Sequence, residues 1–229
     1  MKTLSQLTYS RYMTVYKTVD KMDGTLSSIN PLTIQVNKYL SEKTQLIDNH
    51  VSEMDEGLFI LSPMKSGKTT YFSVCSEFLK DKIVVFALPR ISNVSSEIKN
   101  IGQYGFLEYH SDVVKEGLFD EMKVAKKIAL CHKSIVTKLK YASTKETTYL
   151  VIDEFHSLFT NLSNKEVHEL SNLIREKNVK VILLSATIDE KMVQCFNYPL
   201  IKIEPKVIQK RSLDVIRYDN RTENSINGI

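Results

Sequence analysis

Five short stretches of the chain are apolar without alternation: "LFIL" at 58–61, "IVVFAL" at 83–88, "KIAL" at 127–130, "YLVI" at 149–152 and "VKVILL" at 179–184. A strand with one wet face alternates apolar and polar residues. Unbroken runs bounded by polar segments instead predict strands covered on both faces, as in a parallel sheet. Segments at helical spacing separate them. After the first run, Phe72, Cys75 and Leu79 form one stripe with Tyr71, Val74 and Phe78 beside it, wide enough to lie on a sheet. Strand, loop, helix, strand is βαβ grammar, which predicts an α/β fold with a mainly parallel central sheet flanked by helices.

The two ends break this grammar. Tyr9, Tyr12, Met13 and Tyr16 fall at helical spacing, "DGTLSSINP" interrupts them, and a second helix is expected from Pro31 to about Leu40. Residues 1–45 therefore read as a small N-terminal helical extension that caps the core or offers a face to a partner. The core itself spans 46–205. After Pro205 the polar, basic stretch "KVIQKRSLDVIRYDNRTENSINGI" reads as a linker, or the start of something further, over 206–229.

Composition narrows the classes. With 229 residues, 42% of them hydrophobic and 25% charged, one substantial core is expected. A net charge of +4 lacks the dense basic character of an architectural nucleic-acid binder but leaves room for a local positive groove. Cys75, Cys131 and Cys195 lie too far apart for a paired-cysteine zinc knuckle and give no disulfide framework, so a reducing interior is expected. The start has no apolar signal core, and no window approaches eighteen uninterrupted apolar residues. The expectation is a cytoplasmic protein without a membrane partner, or a viral or phage protein acting inside its host.

Three strand ends carry the candidate chemistry. The first run opens into "SPMKSGKTT", 62–70. A phosphate loop needs inward-facing backbone N–H groups, a helix N-terminus behind them, a lysine over the outer phosphates and a hydroxyl for Mg2+. Ser62, Pro63, Met64, Lys65, Ser66, Gly67, Lys68, Thr69 and Thr70 are the candidate cradle, with Lys68 on the phosphates and Thr69 on the metal. The first position of the pattern is Ser62 rather than glycine, tolerable for a small residue at ordinary backbone angles. The plainer reading is a solvated turn capping a helix. In "YLVIDEFH", 149–156, a buried strand delivers two carboxylates to the sheet edge where ligands of open α/β folds bind. Asp153 is the candidate metal ligand and Glu154 the group that polarises an attacking water; helix N-capping is the alternative. In "VILLSATIDE", 181–190, Ser185, Ala186 and Thr187 end another buried strand, where capping is again the plainer reading.

Loop, DExH and SAT, in that order and each closing a buried strand, resemble the first motor domain of superfamily two helicases and translocases of the DExH type. The resemblance runs from about Leu58 to Ile203. "SPMKSGKT" matches the family's "APTGSGKT" at Pro63, Ser66, Gly67, Lys68 and Thr69 and departs at Ser62, Met64 and Lys65, where the family commonly has glycine at the last of these. The resemblance implies a RecA-like P-loop domain binding ATP and Mg2+, catalytic roles for Lys68, Asp153, Glu154 and His156, and coupling through Ser185, Ala186 and Thr187, to which His156 links the nucleotide site. "ALPRISN", 87–93, looks like motif Ia, and "LCHKSIV", 130–136, is similar to motif Ib, with Cys131 where threonine is commoner. By resemblance, Pro89, Arg90, His132, Lys133 and Ser134 grip phosphates of a single strand of DNA or RNA without reading its sequence.

No segment resembles the family's second-domain QxxGRxxR motif, so an N-terminal half-motor is expected, weak alone and needing a second RecA-like domain in cis or trans. Two other classes stay open. A thymidine-kinase-like enzyme carries a similar loop and a downstream "IDE", but the scattered cysteines cannot build its zinc lobe and it has no SAT segment. A non-catalytic ATP-binding interaction module is the third.

Overall fold

The unbroken apolar runs form strands because each of their faces meets a layer of helices. In the computed structural model, which describes residues 31–113, 116–187 and 198–206, the strands are β1 (Leu32–Val36), β2 (Gly57–Leu61), β3 (Ile83–Leu88), β4 (Leu107–Tyr109), β5 (Lys127–Cys131), β6 (Thr148–Ile152), β7 (Val179–Ser185) and β8 (Leu200–Pro205). They make one sheet in the order β1-β8-β2-β7-β6-β3-β5-β4. Every pairing is parallel. All five runs singled out above are among these strands, and the parallel α/β fold class is borne out.

Successive residues of each central strand feed opposite cores. Val85, Ala87, Leu150, Ile152, Val181 and Leu183 face one layer. Val84, Phe86, Leu88, Tyr149, Val151, Ile182 and Leu184 face the other. The first layer is closed by α4 (Leu118–Val124), α5 (Ile135–Leu139), α6 (Leu158–Asn161) and α7 (Asn164–Glu176), through Met122, Ile135, Leu158 and Leu170 among others. On the other side lie α1 (Thr44–Glu53), α2 (Lys68–Thr70) with the turn that follows it, and α3 (Ile91–Ile101), through Ile47, Tyr71 and Val94. The start of α7 is written in the sequence: Ser163 accepts from the Glu166 N–H at 3.3 Å while the Ser163 N–H donates to the Glu166 carboxylate at 2.7 Å.

Two expectations are corrected. The helix from Pro31 to about Leu40 is instead the edge strand β1, paired with β8 from Leu32↔Ile201 to Val36↔Pro205. Period-two patterning wins there: Ile34 and Val36 are buried, Thr33 and Gln35 are exposed, and three of the five residues are β-branched. The sheet therefore begins at Leu32, before the expected core. The second correction concerns the helix after the loop, expected to carry its stripe to Leu79. It continues from α2 only through a π turn over Tyr71–Cys75 and stops at Ser76, whose backbone is extended. Side chains compete for its backbone groups. The Ser73 hydroxyl donates to the Thr69 carbonyl at 2.7 Å, and Asp48 of α1 accepts from the Tyr71 hydroxyl at 2.7 Å, the Ser76 hydroxyl at 2.6 Å and the Phe78 N–H at 3.1 Å. The helix expected around Tyr9 to Tyr16, Cys195 and the stretch after residue 206 lie outside the described residues.

Candidate active site

Because the sheet is parallel, the C-terminal ends of β2, β7 and β6 lie side by side at one edge, and these are the three ends that carry the loop, the SAT segment and the carboxylate pair. Leu61 is in register with Ser185, and the Ser62 N–H donates to the Ser185 carbonyl at 3.0 Å. The SAT segment and the loop entrance are thus stitched together by backbone.

The loop itself needs left-handed backbone at two places. Gly67 has φ 80°, where a side chain would be strained, and Lys65 has φ 62°. That explains why glycine suits the Lys65 position, and a non-glycine residue there costs on the order of 1 kcal/mol. Ser62 is not among the positive-φ residues, so its backbone is of the ordinary kind that replaces glycine without strain. Its buried hydroxyl donates to Ser66 Oγ at 2.5 Å across the loop. The Lys68 ammonium, largely buried, donates to the carbonyls of Ser62 and Pro63 at 3.0 and 3.1 Å. Met64 points to solvent at 73% exposure.

Across the sheet edge, the Thr69 hydroxyl donates to Asp153 Oδ2 at 3.2 Å, joining residues 84 apart in sequence. Burial raises the Asp153 pKa, repulsion from Glu154 adds to this, and Lys68 opposes it. Lys68 is shifted down by burial, against the attraction of Asp153 and Glu154. Both shifts are those of charged groups held partly dry and short of counter-charge. Glu154 sits at φ 47°, ψ 51°, a left-handed conformation for a non-glycine residue. It is held there by the Ser157 N–H and hydroxyl, both donating to the Glu154 carbonyl at 2.8 Å. His156 Nδ1 lies 3.4 Å from Glu154 Oε2 and 3.4 Å from Ser185 Oγ, so it bridges the acidic pair and the SAT segment. The Thr187 N–H donates to Ser185 Oγ at 3.3 Å, while Ala186 is half-buried beside it.

Residues 43–195 match the family model described as DEAD/DEAH box helicase. The chain belongs to that family. The superfamily two resemblance and the RecA-like fold class expected from it are borne out. Among solved structures the chain is similar to the Sulfolobus solfataricus SWI2/SNF2 ATPase core in complex with dsDNA, with 20% identity, a TM-score of 0.44 and coverage of 75% of this chain and 36% of that one. It is also similar to the structure of C. elegans PCH-2, with 16% identity, a TM-score of 0.32 and coverage of 72% of this chain and 40% of that one. This chain thus spans less than half the length of either. No curated protein sequence matches it.

The chain carries a helicase-type ATPase domain, and the residues of the site fit Mg-ATP. A buried lysine turns inward on loop carbonyls, a left-handed glycine opens the loop, and a buried carboxylate carries a hydroxyl partner of the kind that shares a magnesium ion. Among the described residues no helix is long and apolar enough to cross a membrane.

The strand-contacting candidates divide. Arg90, after β3, and Lys133, after β5, are exposed at the ends of neighbouring strands whose Leu88 and Cys131 are in register. Pro89 and Ser134 are half-buried, Ser134 with its hydroxyl 3.4 Å from Cys131 Sγ. His132 must be taken out of that group. Its ring is 0% exposed and lies beneath the surface against the Asp153 carbonyl, 3.0 Å away, where no nucleic acid reaches it.

Three residues were missed in the sequence. Asn161 touches both Pro89 and His132. Asp48 anchors the end of the post-loop turn, and Tyr39 packs over the loop, 3.5 Å from where a Gly67 side chain would begin. Asn161 ends α6 and Asp48 lies midway along α1, and a lone polar residue leaves no periodic trace in either place; Tyr39 fell inside the stretch expected to be a helix.

Proposed function

We propose that this helicase domain is the ATP-binding half of a nucleic-acid-dependent DExH-type motor. It couples ATP hydrolysis to movement on, or unwinding of, DNA or RNA, and it needs a second RecA-like domain in cis or trans for full rate. The observation that carries the nucleotide part is the 3.2 Å bond between the Thr69 hydroxyl and Asp153, with Lys68 and Glu154 beside it. In this reading the backbone of residues 62–70 cradles the phosphates and Lys68 swings from the loop carbonyls onto them. Thr69 and Asp153 hold Mg2+, which when bound neutralises charge on the outer phosphates. Glu154 orients and deprotonates the attacking water, and His156 reports the state of that water's pocket to Ser185 and Thr187. Arg90 and Lys133, two exposed cations on adjacent strand ends, support strand binding through phosphates.

The arginines support the need for a second domain. Among the described residues only Arg90 and Arg175 occur. Arg175 lies at the end of α7, just before the N-terminal end of β7, and so at the opposite sheet edge from the loop; it bonds to Asn172. An inserted arginine is worth roughly a thousandfold or more in phosphoryl-transfer rate, so a second domain that supplies one would account for the full rate.

The test is titration with a fluorescent ATP analogue and magnesium, followed by single-turnover hydrolysis. Lys68→Ala is expected to weaken binding roughly 10- to 100-fold, the equivalent of one charge-assisted hydrogen bond. Glu154→Gln is expected to keep the affinity and remove the hydrolysis. Equal affinity in wild type and Lys68→Ala would refute the loop assignment.

A further inference from the structure

Between the exposed Arg90 loop and the metal-binding carboxylate runs a buried chain of hydrogen bonds that the roles assigned so far do not use. The Pro89 carbonyl accepts from Asn161 Nδ2 at 3.1 Å. The same Asn161 nitrogen lies 3.1 Å from His132 Nδ1, and His132 Nε2 lies 3.0 Å from the Asp153 carbonyl. Both ends of this chain are carbonyls, which only accept, and that fixes every proton between them. The amide nitrogen of Asn161, not its oxygen, must face Pro89. Its second N–H then points to His132 Nδ1, which must be the unprotonated ring nitrogen. The proton therefore sits on Nε2 and is donated to Asp153. Inverting either side group breaks the chain at both of its bonds.

The far end of the chain lands on a peptide with little freedom. The Asp153 N–H donates to the Ala87 carbonyl at 2.9 Å, two residues before Pro89, and the Asp153 carbonyl takes the His132 proton. This peptide leads directly into Glu154, whose left-handed backbone is a conformation kept only where surrounding bonds over-determine it. One side of the carboxylate-bearing peptide is therefore tied to β3 and the other, through His132 and Asn161, to the loop that β3 runs into.

We propose that Asn161 and His132 are positioning residues: a buried relay that ties the backbone at Pro89 and Arg90 to the Asp153–Glu154 peptide, so that a strand held at Arg90 changes the nucleotide affinity of the loop. The proposal rests on the nucleic-acid reading above. Displacement of the Pro89 carbonyl by a phosphate bound at Arg90 loosens or tightens the Asn161 bond, and through His132 alters how firmly the Asp153–Glu154 peptide is held in its strained form. Neither side chain touches nucleotide or strand. Their contribution is to the coupling between the two ligands and not to either affinity alone.

The test uses the full chain, a fluorescent ATP analogue with magnesium, and a single-stranded oligothymidylate or oligouridylate. Each ligand's affinity is measured alone and with the other saturating, which closes a thermodynamic box. In wild type the oligonucleotide is expected to change nucleotide affinity by about fivefold or more, with the reciprocal effect of the same size. In Asn161→Leu and His132→Leu that factor falls towards one while both single-ligand affinities stay within about twofold. In His132→Gln, whose amide can still donate to Asp153 and accept from Asn161, much of the coupling is retained. An unchanged coupling factor in Asn161→Leu overturns the relay. So does a parallel loss of both affinities, which marks a mere structural brace. A wild-type chain that binds both ligands without coupling overturns the relay alone. A wild-type chain that binds nucleotide but no oligonucleotide removes the nucleic-acid reading, and the relay with it.

Discussion

His132 carries no charge inside this protein. Burial disfavours its imidazolium and brings its pKa down to about 4; the bond to the Asp153 carbonyl opposes this and repulsion from His156 adds to it. An unfolded chain keeps the ordinary value of about 6.5. As pH falls from about 6.5 towards 4, the unfolded state takes up a proton that the folded state refuses. The stability tied to the neutral ring is thus complete above this window and declines through it, by on the order of 3 kcal/mol at its lower end. Urea unfolding at pH 7, 5.5 and 4.5 should show wild type losing more stability than His132→Gln, whose side chain does not titrate. Parallel pH profiles would mean that the ring is not held neutral. The same residue shows where sequence reasoning about the site ran out. Lys68, Thr69, Asp153 and Glu154 stand in motifs whose chemistry dictates both residue type and spacing, and the structure brings them together as expected. His132 stands in an equally motif-like segment, yet whether a side chain after a strand end turns out to the solvent or in beneath its neighbour depends on packing that no local pattern encodes.

Short elements depend on partners more than long ones do, and α4 shows this most clearly. Its seven residues are too few to be stable by propensity. Its C-terminal end is held by a single cation from α5: the buried Lys138 ammonium donates to the carbonyls of Met122 at 2.6 Å, Lys123 at 3.2 Å and Ala125 at 3.1 Å. Burial lowers the Lys138 pKa to about 8, so at neutral pH the charge is retained and spread over three helix-end acceptors. Lys138→Met keeps the apolar stem and leaves those carbonyls without their donor. It is expected to cost about 2 to 4 kcal/mol, with amide exchange rising first in α4 and at the start of β5. A uniform rise across the sheet would argue that the lysine is only one brace among many. Such contacts also explain which elements could be read beforehand. β2, β3, β5, β6 and β7 are central strands whose own residues announce burial on both faces. β1 has only Ile34 and Val36 inward, β4 has three residues of intermediate burial, and β8 lies between two neighbours far away in the chain. The end of the post-loop turn was likewise set from outside, by Asp48 on another helix.

At the scale of the whole molecule, the parallel sheet puts the strand ends that carry the candidate chemistry on the same edge, so one layer presents the proposed triphosphate site over β2, β7 and β6 and two exposed cations over β3 and β5. The overall charge of +4 does little to hold a polyanion at physiological salt, where charges more than about 8 Å away are largely screened. Affinity for a strand must then come from the few phosphates in direct contact, and their number is readable in the salt dependence. For single strands the logarithm of affinity falls with the logarithm of salt by about 0.7 per neutralised phosphate. Two contacts, at Arg90 and Lys133, predict a slope of about −1.4 and hence a roughly sevenfold loss between 50 and 200 mM salt. Anisotropy titrations of a labelled oligothymidylate should give that slope in wild type and about −0.7 in both Arg90→Ala and Lys133→Ala. A slope near zero would place the strand away from these loops. A slope steeper than about −4 would mean that most of the contacts lie on residues other than these two.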